Sequence, residues 1–478
     1  MKVCLITPPS GFLLDERVFP SLGILKVGAV LEQSGINVEH LDLTGVKNYE
    51  EATADYMGEA DTFAITATTP QIPAAIRVRE VLALRNPHPR IILGGPHATL
   101  VHAAAKRGNE RARKALEELL RIFDVVVAGD GEKAIFEALH TRGLVDADDP
   151  KSVLWQTSKD FTESPWPARH LIDMTSYHYS IEGQNAVHLI SQLGCPFKCA
   201  FCSGRNSPML RQIRLRPPAD VISEILFLHK QYQYRGFNFF DDELNVNREM
   251  IPLMHGLKSA ADELGTEWRL RGFIKSQLFT EEQASVMYEA GFRWILVGFE
   301  SGSDRILANI QKQATREENT RCMEIAHAHG LKVKALMSLG HAGESPETVR
   351  DTYNWLIATQ PDDLDVTVIT PYPGSPYWDD AINIGDKVWR YTAAKTGDFL
   401  YMEEVDFIHT ADFYKGIPGD YVSHVWTDEL SADALVKSRD WLEFQAKGKL
   451  GIAMQTSADA KVYDHSMGMS PQILRSSL

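Results

Sequence analysis

Cysteine is scarce in this chain, with five residues among 478. A small, odd set argues against a disulfide framework and favours reduced thiols in a reducing compartment. Cys4 and Cys322 fall within a predicted strand and a predicted helix, where each is expected to be a small buried hydrophobe. The other three stand together in CPFKCAFC, as Cys195, Cys199 and Cys202.

Long apolar runs and an excess of positive charge are also absent. No run approaches the ~20 residues of a membrane span, and the start, MKVCLITPPSG, has no secretory signal pattern, so we expect a cytoplasmic protein with no membrane partner. The net charge is −15, and no basic patch offers a surface for nucleic acid. Neither GxGxxG nor GxxxxGK[ST] occurs, which disfavours dinucleotides and nucleoside triphosphates as ligands.

The first third alternates short apolar runs with helical periods, which predicts an α/β fold with a flavodoxin-like, doubly wound parallel sheet over residues 1–140. Helices are expected from Pro20, Gln71 and Asn109. In such sheets ligands bind at the carboxyl ends of the strands. Five strands are predicted, at 2–7, 37–43, 62–68, 90–95 and 124–130.

The cysteine cluster has the spacing Cys-x3-Cys-x2-Cys at the end of an apolar run. Thiolates suit zinc or iron–sulfur clusters, but a structural zinc site takes four protein ligands. Three thiolates on a 4Fe-4S cluster leave one iron with an open coordination position. The cluster therefore predicts an iron–sulfur site whose fourth iron can bind another molecule.

Six strand–helix units follow, over residues 187–376. The strands are predicted at 187–194, 236–244, 267–274, 292–301, 331–340 and 364–374. Capping boxes mark the helix starts at Thr280 and Thr315, and Ser345 caps a helix with proline in its first turn. This repeat predicts a partial (β/α)6 barrel with its chemistry at the strand ends.

The cysteine spacing, with Phe201 as the aromatic before the last cysteine, resembles the signature of the radical S-adenosylmethionine (SAM) superfamily, and six units match its barrel. The resemblance implies that SAM chelates the open iron through its amino and carboxylate groups. It further implies that Asp241 and Asp242 hold the amino group and that Arg271 binds the methionyl carboxylate. In the same way it assigns the ribose hydroxyls to Glu300 and Ser301 and the adenine to the loops containing Gly340 and Pro371.

The loops of the first domain, TPPSG, GGPHAT and VAGDGE, resemble those of the cobalamin-binding domain that precedes many radical SAM enzymes. The Asp-x-His-x-x-Gly signature, whose histidine ligates cobalt, is absent. His97 is the nearest substitute, with hydrogen bonding to the loop or the corrin edge as the alternative. The resemblance implies cobalamin contacts from Pro9, Ser10, Leu22, Gly23, Thr66, Thr68, Gly94, Gly95, His97, Gly129, Gly131 and Glu132.

Two segments complete the chain. Residues 141–186 are predicted to be an interdomain linker, and 377–478 a smaller, α-rich region over the substrate pocket with a helix at 430–451. Tyr401, Glu403, Asp406 and Tyr414 suit a cationic or amphipathic small molecule, although an ordinary packed lid has the same composition.

The resemblance implies a cobalamin-dependent radical SAM enzyme with a 4Fe-4S cluster, most often a methyltransferase acting on an unactivated carbon or on phosphorus of a small molecule. Ring contraction, cyclisation or oxidation with the same cofactors is the alternative, and a non-catalytic cobalamin or iron–sulfur sensor is another. An electron donor such as flavodoxin or ferredoxin is expected as partner. No catalytic residue follows from the sequence.

Overall fold

The structure is a computed structural model that describes residues 1–10, 15–56, 60–85, 89–411 and 422–453. Tyr414 lies outside these residues. No helix in the described part of the chain combines the length and apolar character that a membrane span requires.

The N-terminal third forms a parallel six-stranded sheet in the order β2-β1-β3-β4-β5-β6. Both faces are buried: Val3 and Leu5 pack into one apolar cluster, whereas Cys4 and Ile6 pack into another on the opposite face. The strands are β1 (Lys2–Thr7), β2 (Asn37–Asp42), β3 (Thr62–Thr66), β4 (Arg90–Gly94), β5 (Val125–Gly129) and β6 (Gly143–Ala147). The helices are α1 (Leu22–Gln33), α2 (Tyr49–Ala54), α3 (Ile72–Arg85), α4 (Pro96–Lys106), α5 (Glu110–Ile122) and α6 (Gly131–Ala138).

The expected doubly wound fold is confirmed, but the prediction of five strands is wrong. β6 was missed because its sequence, GLVDA, is short and interrupted by an aspartate, and only two of its five residues are buried. It pairs with β5 and carries the sheet to residue 147, past the predicted boundary at 140. The segment that follows holds one short helix, α7 (Ser158–Glu163).

The second sheet is the half-barrel, in the order β15-β14-β13-β12-β11-β8-β7. Its six parallel strands confirm the predicted units, and β7 adds an antiparallel edge to β8. The strands are β7 (Ser180–Ile181), β8 (Gln184–Leu189), β11 (Gly236–Phe239), β12 (Arg269–Phe273), β13 (Phe292–Glu300), β14 (Lys332–Leu339) and β15 (Asp363–Val368), with the small pair β9 (Gln192–Leu193) and β10 (Arg214–Leu215) beside them. The helices are α8 (Pro208–Arg211), α9 (Pro218–Tyr232), α10 (Met250–Leu264), α11 (Glu281–Ala290), α12 (Asp304–Asn309), α13 (Arg316–Ala328) and α14 (Pro346–Thr359).

The described part of the C-terminal region contains the predicted helix and a four-stranded antiparallel sheet that the sequence did not reveal. Asp398 ties this sheet to the half-barrel, because Arg305 and Asn309 both donate hydrogen bonds to its carboxylate, at 2.6 and 2.8 Å. The elements are α15 (Pro376–Asp379), β16 (Ile382–Gly385), β17 (Val388–Thr392), β18 (Phe399–Glu403), β19 (Val425–Trp426) and α16 (Ala432–Leu450).

Candidate cofactor site

The three clustered cysteines lie on the loop between β9 and α8. This loop is held at both ends and in the middle by backbone hydrogen bonds: Cys195 N–H donates to the Leu210 carbonyl at 3.0 Å, and Ala200 N–H donates to the Ile310 carbonyl at 2.8 Å. Tyr377 N–H in turn donates to the Ala200 carbonyl, at 3.2 Å. The loop is therefore fixed by contacts with α8, with the residue that follows α12, and with α15.

The donor set suits an iron–sulfur cluster better than a single metal ion. All five cysteines are described and none is in a disulfide. Within the described residues, no three His, Cys, Asp or Glu side chains are gathered closely enough to hold one ion. The irons of a cluster lie at separate corners, so its thiolate ligands stand farther apart than those of a single zinc.

Two buried lysines lie near the cysteine loop. Lys275 and Lys312 are 1% and 5% exposed. Burial lowers the pKa of Lys275, while the thiols of Cys199 and Cys195 and the carboxyl of Glu243 act to raise it. Cationic groups at this position favour thiolates and offer binding partners for a carboxylate. Sequence reasoning missed both lysines, because single lysines after a strand or helix carry no motif.

Glu300, predicted from the sequence, is the centre of a buried polar network. Lys312 Nζ lies 2.9 Å from Glu300 Oε1, and Ser338 Oγ donates to Glu300 Oε2 at 2.7 Å. Ser338 also bonds His341 Nε2, at 2.8 Å, and the ring of His341 lies 5.5 Å from that of Phe201. Glu300 has φ +66 at a break in the β13–β14 register. Such a backbone conformation costs about 1–3 kcal/mol and is most often found at functional sites.

The two predicted aspartates have different environments. Asp241 is 1% exposed and accepts from the backbone N–H groups of Ser191 and Gln192, at 2.7 and 3.1 Å. Burial raises its pKa to about 7, against the effect of these bonds. Asp242 accepts from Gly194 N–H at 2.7 Å and lines the main cavity. Asp241 thus orders the loop after β8, and Asp242 is the one available to a ligand.

The structure does not bring two predicted residues to this group. Ser301 is fully buried, and its hydroxyl bonds Thr352 Oγ1 at 3.1 Å on α14. Arg271 donates to the hydroxyl of Tyr179, below the strand ends. It precedes Lys275 by four residues, which is about 13 Å along a strand. Lys275 is therefore better placed than Arg271 to meet a carboxylate at the cysteine loop.

The last two predicted SAM residues lie on loops after β14 and β15. Gly340 has φ +89, and its N–H lies 3.3 Å from Glu344 Oε2. Pro371 is buried three residues before Gly374, where a Cβ would come within 2.6 Å of the Ser203 carbonyl. Both loops lie close to the cysteine loop, since the ring of His341 is 5.5 Å from that of Phe201 and Gly374 approaches Ser203. Their contact with adenine stays a prediction.

A cavity of about 850 Å³ extends between the two halves of the molecule. One wall consists of the loops at the carboxyl ends of the first sheet, including Thr66, Gly94 and Gly129. The other wall comes from the half-barrel and includes Gly194, the residue before the first cluster cysteine, and Asp242. A wide, mostly apolar cavity with glycine-rich edges fits a corrin ring, which its two walls would hold. The cavity extends to Gly194, next to the cysteine loop.

Ten of the residues predicted to contact cobalamin line this cavity, and Pro9 and His97 do not. The ten are Ser10, Leu22, Gly23, Thr66, Thr68, Gly94, Gly95, Gly129, Gly131 and Glu132. His97 is 3% exposed, and its Nδ1 bonds Thr69 Oγ1 at 3.1 Å. This contact fits the predicted role of a loop-stabilising residue rather than that of a cobalt ligand.

Two family models match the chain. The model of the B12 binding domain covers residues 16–139, and that of the Radical SAM superfamily covers residues 189–356. The chain is a cobalamin-dependent radical SAM enzyme. The cofactors of its two domains are therefore cobalamin, SAM and a 4Fe-4S cluster.

Known proteins are similar to this chain over most of their length. The enzyme is 25% identical over 409 residues to an uncharacterized methyltransferase of Pyrococcus horikoshii, covering 80% of this chain and 83% of that one. It is also 25% identical to the anaerobic magnesium-protoporphyrin IX monomethyl ester cyclase of Rubrivivax gelatinosus, over 77% and 65% of the two chains. The radical SAM methyltransferase TsrM of Kitasatospora setae shares its fold with a TM-score of 0.61 at 17% identity, over 82% and 81%.

Proposed function

We propose that this radical SAM enzyme is a methyltransferase that moves a methyl group to an unactivated carbon, or to phosphorus, of a small biosynthetic intermediate. One observation carries the proposal: a single cavity joins the cobalamin-binding loops to the residue that precedes Cys195. When bound, the cluster supplies an electron to SAM, and cobalamin supplies a carrier for the methyl group. A substrate bound in this shared cavity would be close enough to the cobalamin-binding loops to take up the methyl group directly.

Residues of the chain would orient SAM in this site. Lys275 and Lys312 offer cations to its carboxylate, and Asp242 offers an anion to its amino group. Glu300, already held by Lys312 and Ser338, presents its carboxylate to the ribose hydroxyls. Fixed donors and acceptors of this kind lower the reorganisation needed when the substrate reacts.

The walls of the site would also protect a reactive intermediate from water. The Gly340 and Pro371 loops cover the cysteine loop, and the C-terminal sheet covers the Gly340 loop, because a Cβ on Gly340 would lie 3.0 Å from Val425 Cγ2. A closed wall limits side reactions. We propose that a one-electron protein donor such as flavodoxin or ferredoxin delivers the electron from outside.

Cyclisation, ring contraction or oxidation is the second candidate, because one relative of equal identity is named as a cyclase. The cofactor residues are the same in both cases.

The test is anaerobic incubation of the reconstituted enzyme with hydroxocobalamin, SAM carrying a deuterated methyl group and titanium(III) citrate, followed by mass spectrometry. We expect the label on the corrin, together with S-adenosylhomocysteine and 5′-deoxyadenosine. Cys202→Ala should lose 5′-deoxyadenosine, whereas the matched control Cys322→Ala, a core cysteine outside the cluster, should keep it.

The other outcomes are equally decisive. Formation of 5′-deoxyadenosine with bound cobalamin but no labelled corrin would favour the second candidate. Bound cobalamin without 5′-deoxyadenosine and without a labelled corrin would contradict both candidates. Failure to bind either cofactor would contradict the proposal.

A further inference from the structure

Three neighbouring strands of the half-barrel carry a row of polar side chains, His188 on β8, Asn238 on β11 and Arg271 on β12. Asn238 is the register partner of both His188 and Arg271. Partners in parallel strands point to the same face, about 4.8 Å apart. Phe237 and Phe239, on either side of Asn238, belong to the apolar core on the other face. The row therefore faces the inside of the half-barrel.

Each member of the row has a buried polar atom that finds no hydrogen-bond partner among the described residues. His188 and Asn238 are 4% and 3% exposed. The unpaired atoms are His188 Nδ1, Asn238 Oδ1 and Arg271 Nε. Leaving such an atom unpaired costs about 1–3 kcal/mol, and most buried polar groups avoid it. Three in one row indicate a surface built to bind a ligand.

The charge of the row is positive. Arg271 donates from Nη1 to the hydroxyl of Tyr179, and within the described residues its guanidinium has no ion pair with a carboxylate. Arg269, on the same strand, is by contrast paired with Glu267 at 2.9 Å. The uncompensated guanidinium favours an anionic oxygen group, which a planar fork of donors binds best.

The other two members offer acceptors beside this cation. Burial lowers the pKa of His188 to about 3, with Arg169 acting in the same direction, so the ring is neutral. A hydrogen bond between the ring and the Pro20 carbonyl requires a ring N–H. Since Nδ1 is the atom without a partner, we assign that N–H to Nε2 and a lone pair to Nδ1. His188 Nδ1 and Asn238 Oδ1 are therefore suited to accept from a hydroxyl or an amide N–H.

An apolar layer separates the row from the cofactor region. The rings of Phe240 and Phe273 lie 5.8 Å apart, and Phe240 lies 5.4 Å from the ring of His188. Phe240 is 46% exposed although it is a large hydrophobe, and it lines the main cavity together with His188. The cavity thus runs from the cobalamin loops, past Phe240, to His188. Asn238 and Arg271 follow His188 across the neighbouring strands, beyond the residues that line the cavity.

We propose that His188, Asn238 and Arg271 form the substrate-recognition site of the enzyme. The site would take an anionic oxygen group, a carboxylate or a phosphate, with a hydroxyl or amide N–H next to it, on a molecule whose apolar body lies against Phe240 and Phe273. The inference rests on the proposed function, since it supplies the substrate class for the same cavity. Arg271 then binds the substrate and not SAM.

Isothermal titration of the cluster- and cobalamin-loaded enzyme tests this assignment with three probes. Mandelate carries a carboxylate, an adjacent hydroxyl and a phenyl ring; phenyl phosphate carries the alternative anion; mandelamide is the neutral control. We expect one anion to bind and mandelamide to bind far more weakly. Arg271→Gln should weaken binding of that anion by about ten- to a hundredfold, the range for a hydrogen bond to a charged group.

Two further variants keep the test independent of folding defects. Arg269→Gln removes a charge from the same strand and should bind like the wild type, whereas Asn238→Asp places a negative charge in the row and should weaken anion binding. Circular dichroism and cobalamin loading confirm that each variant folds. Labelling of the corrin by SAM needs no substrate, so it reports separately on the proposed function and should persist in Arg271→Gln.

Binding of mandelate would identify the anionic group of the substrate as a carboxylate, and binding of phenyl phosphate would identify it as a phosphate. The inference is overturned if neither anion binds the wild type, or if Arg271→Gln and Arg269→Gln bind it equally well. It is also overturned if Arg271→Gln loses affinity for SAM while keeping affinity for the probe.

Discussion

Substitution of Gly194 by alanine should strongly perturb the cysteine loop. It has φ +90, and a Cβ at this position would lie 2.0 Å from the carbonyl oxygen of Gln212, at the close approach of the loop to β10. The left-handed backbone costs an alanine about 1–2 kcal/mol, and relief of the clash costs about 1–3 kcal/mol more. Gly194→Ala should therefore lower the free energy of unfolding by about 2–5 kcal/mol.

Gly183 provides the matched control. It has φ +76, but a Cβ there would meet nothing within 4 Å. Gly183→Ala should therefore cost only the backbone strain, about 1–2 kcal/mol. Urea denaturation gives both values, and iron and sulfide analysis after reconstitution should show reduced loading for Gly194→Ala alone. Equal stability losses and equal loading in the two variants would refute the reasoning.

Three further predictions concern the site and its cover. Glu300→Gln should weaken SAM binding at least about tenfold, because the ribose hydroxyls lose a charged hydrogen-bond acceptor; equilibrium dialysis measures the affinity. Lys275→Met should weaken SAM binding but leave cobalamin absorbance unchanged. The hydrogen bond from Arg305 lowers the pKa of Asp398. The ionised pair therefore stabilises the fold above the ordinary aspartate pKa of about 4 and is lost below it, so the stability gap to Asp398→Asn, about 1 kcal/mol in urea, should shrink there.

Most of the fold could be predicted because its strands are buried on one or both faces and separated by helices. The runs at 2–7 and 331–340, for example, correspond closely to β1 and β14. The missed strands had weaker signals. β6 alternates buried and exposed residues over only five positions, and all four residues of β16 are exposed. Neither strand stands out as an apolar run in the sequence. The domain boundaries stay predictions.

The candidate site was predictable where a motif or a strand end marks it. The cysteines, Glu300 and the glycine-rich loops after the strands were found in this way, and their roles stay predictions. Lys312 was missed because it follows the end of α12, and the sequence does not show that this end lies next to Glu300. Arg271 lies in the middle of β12 and not at its end, since sequence gives the face of a strand residue but not its distance from the cysteine loop. Its predicted role in binding SAM stays a prediction.

Cobalamin and the cluster should bind at the two sides of one cavity. Electron paramagnetic resonance tests it most directly, on the enzyme loaded with cob(II)alamin and with the cluster reduced, since both centres then carry an unpaired electron. We expect the two signals to be split or broadened by mutual magnetic coupling, and loading only one cofactor should remove the effect. Two independent, unperturbed signals from the doubly loaded enzyme would contradict it.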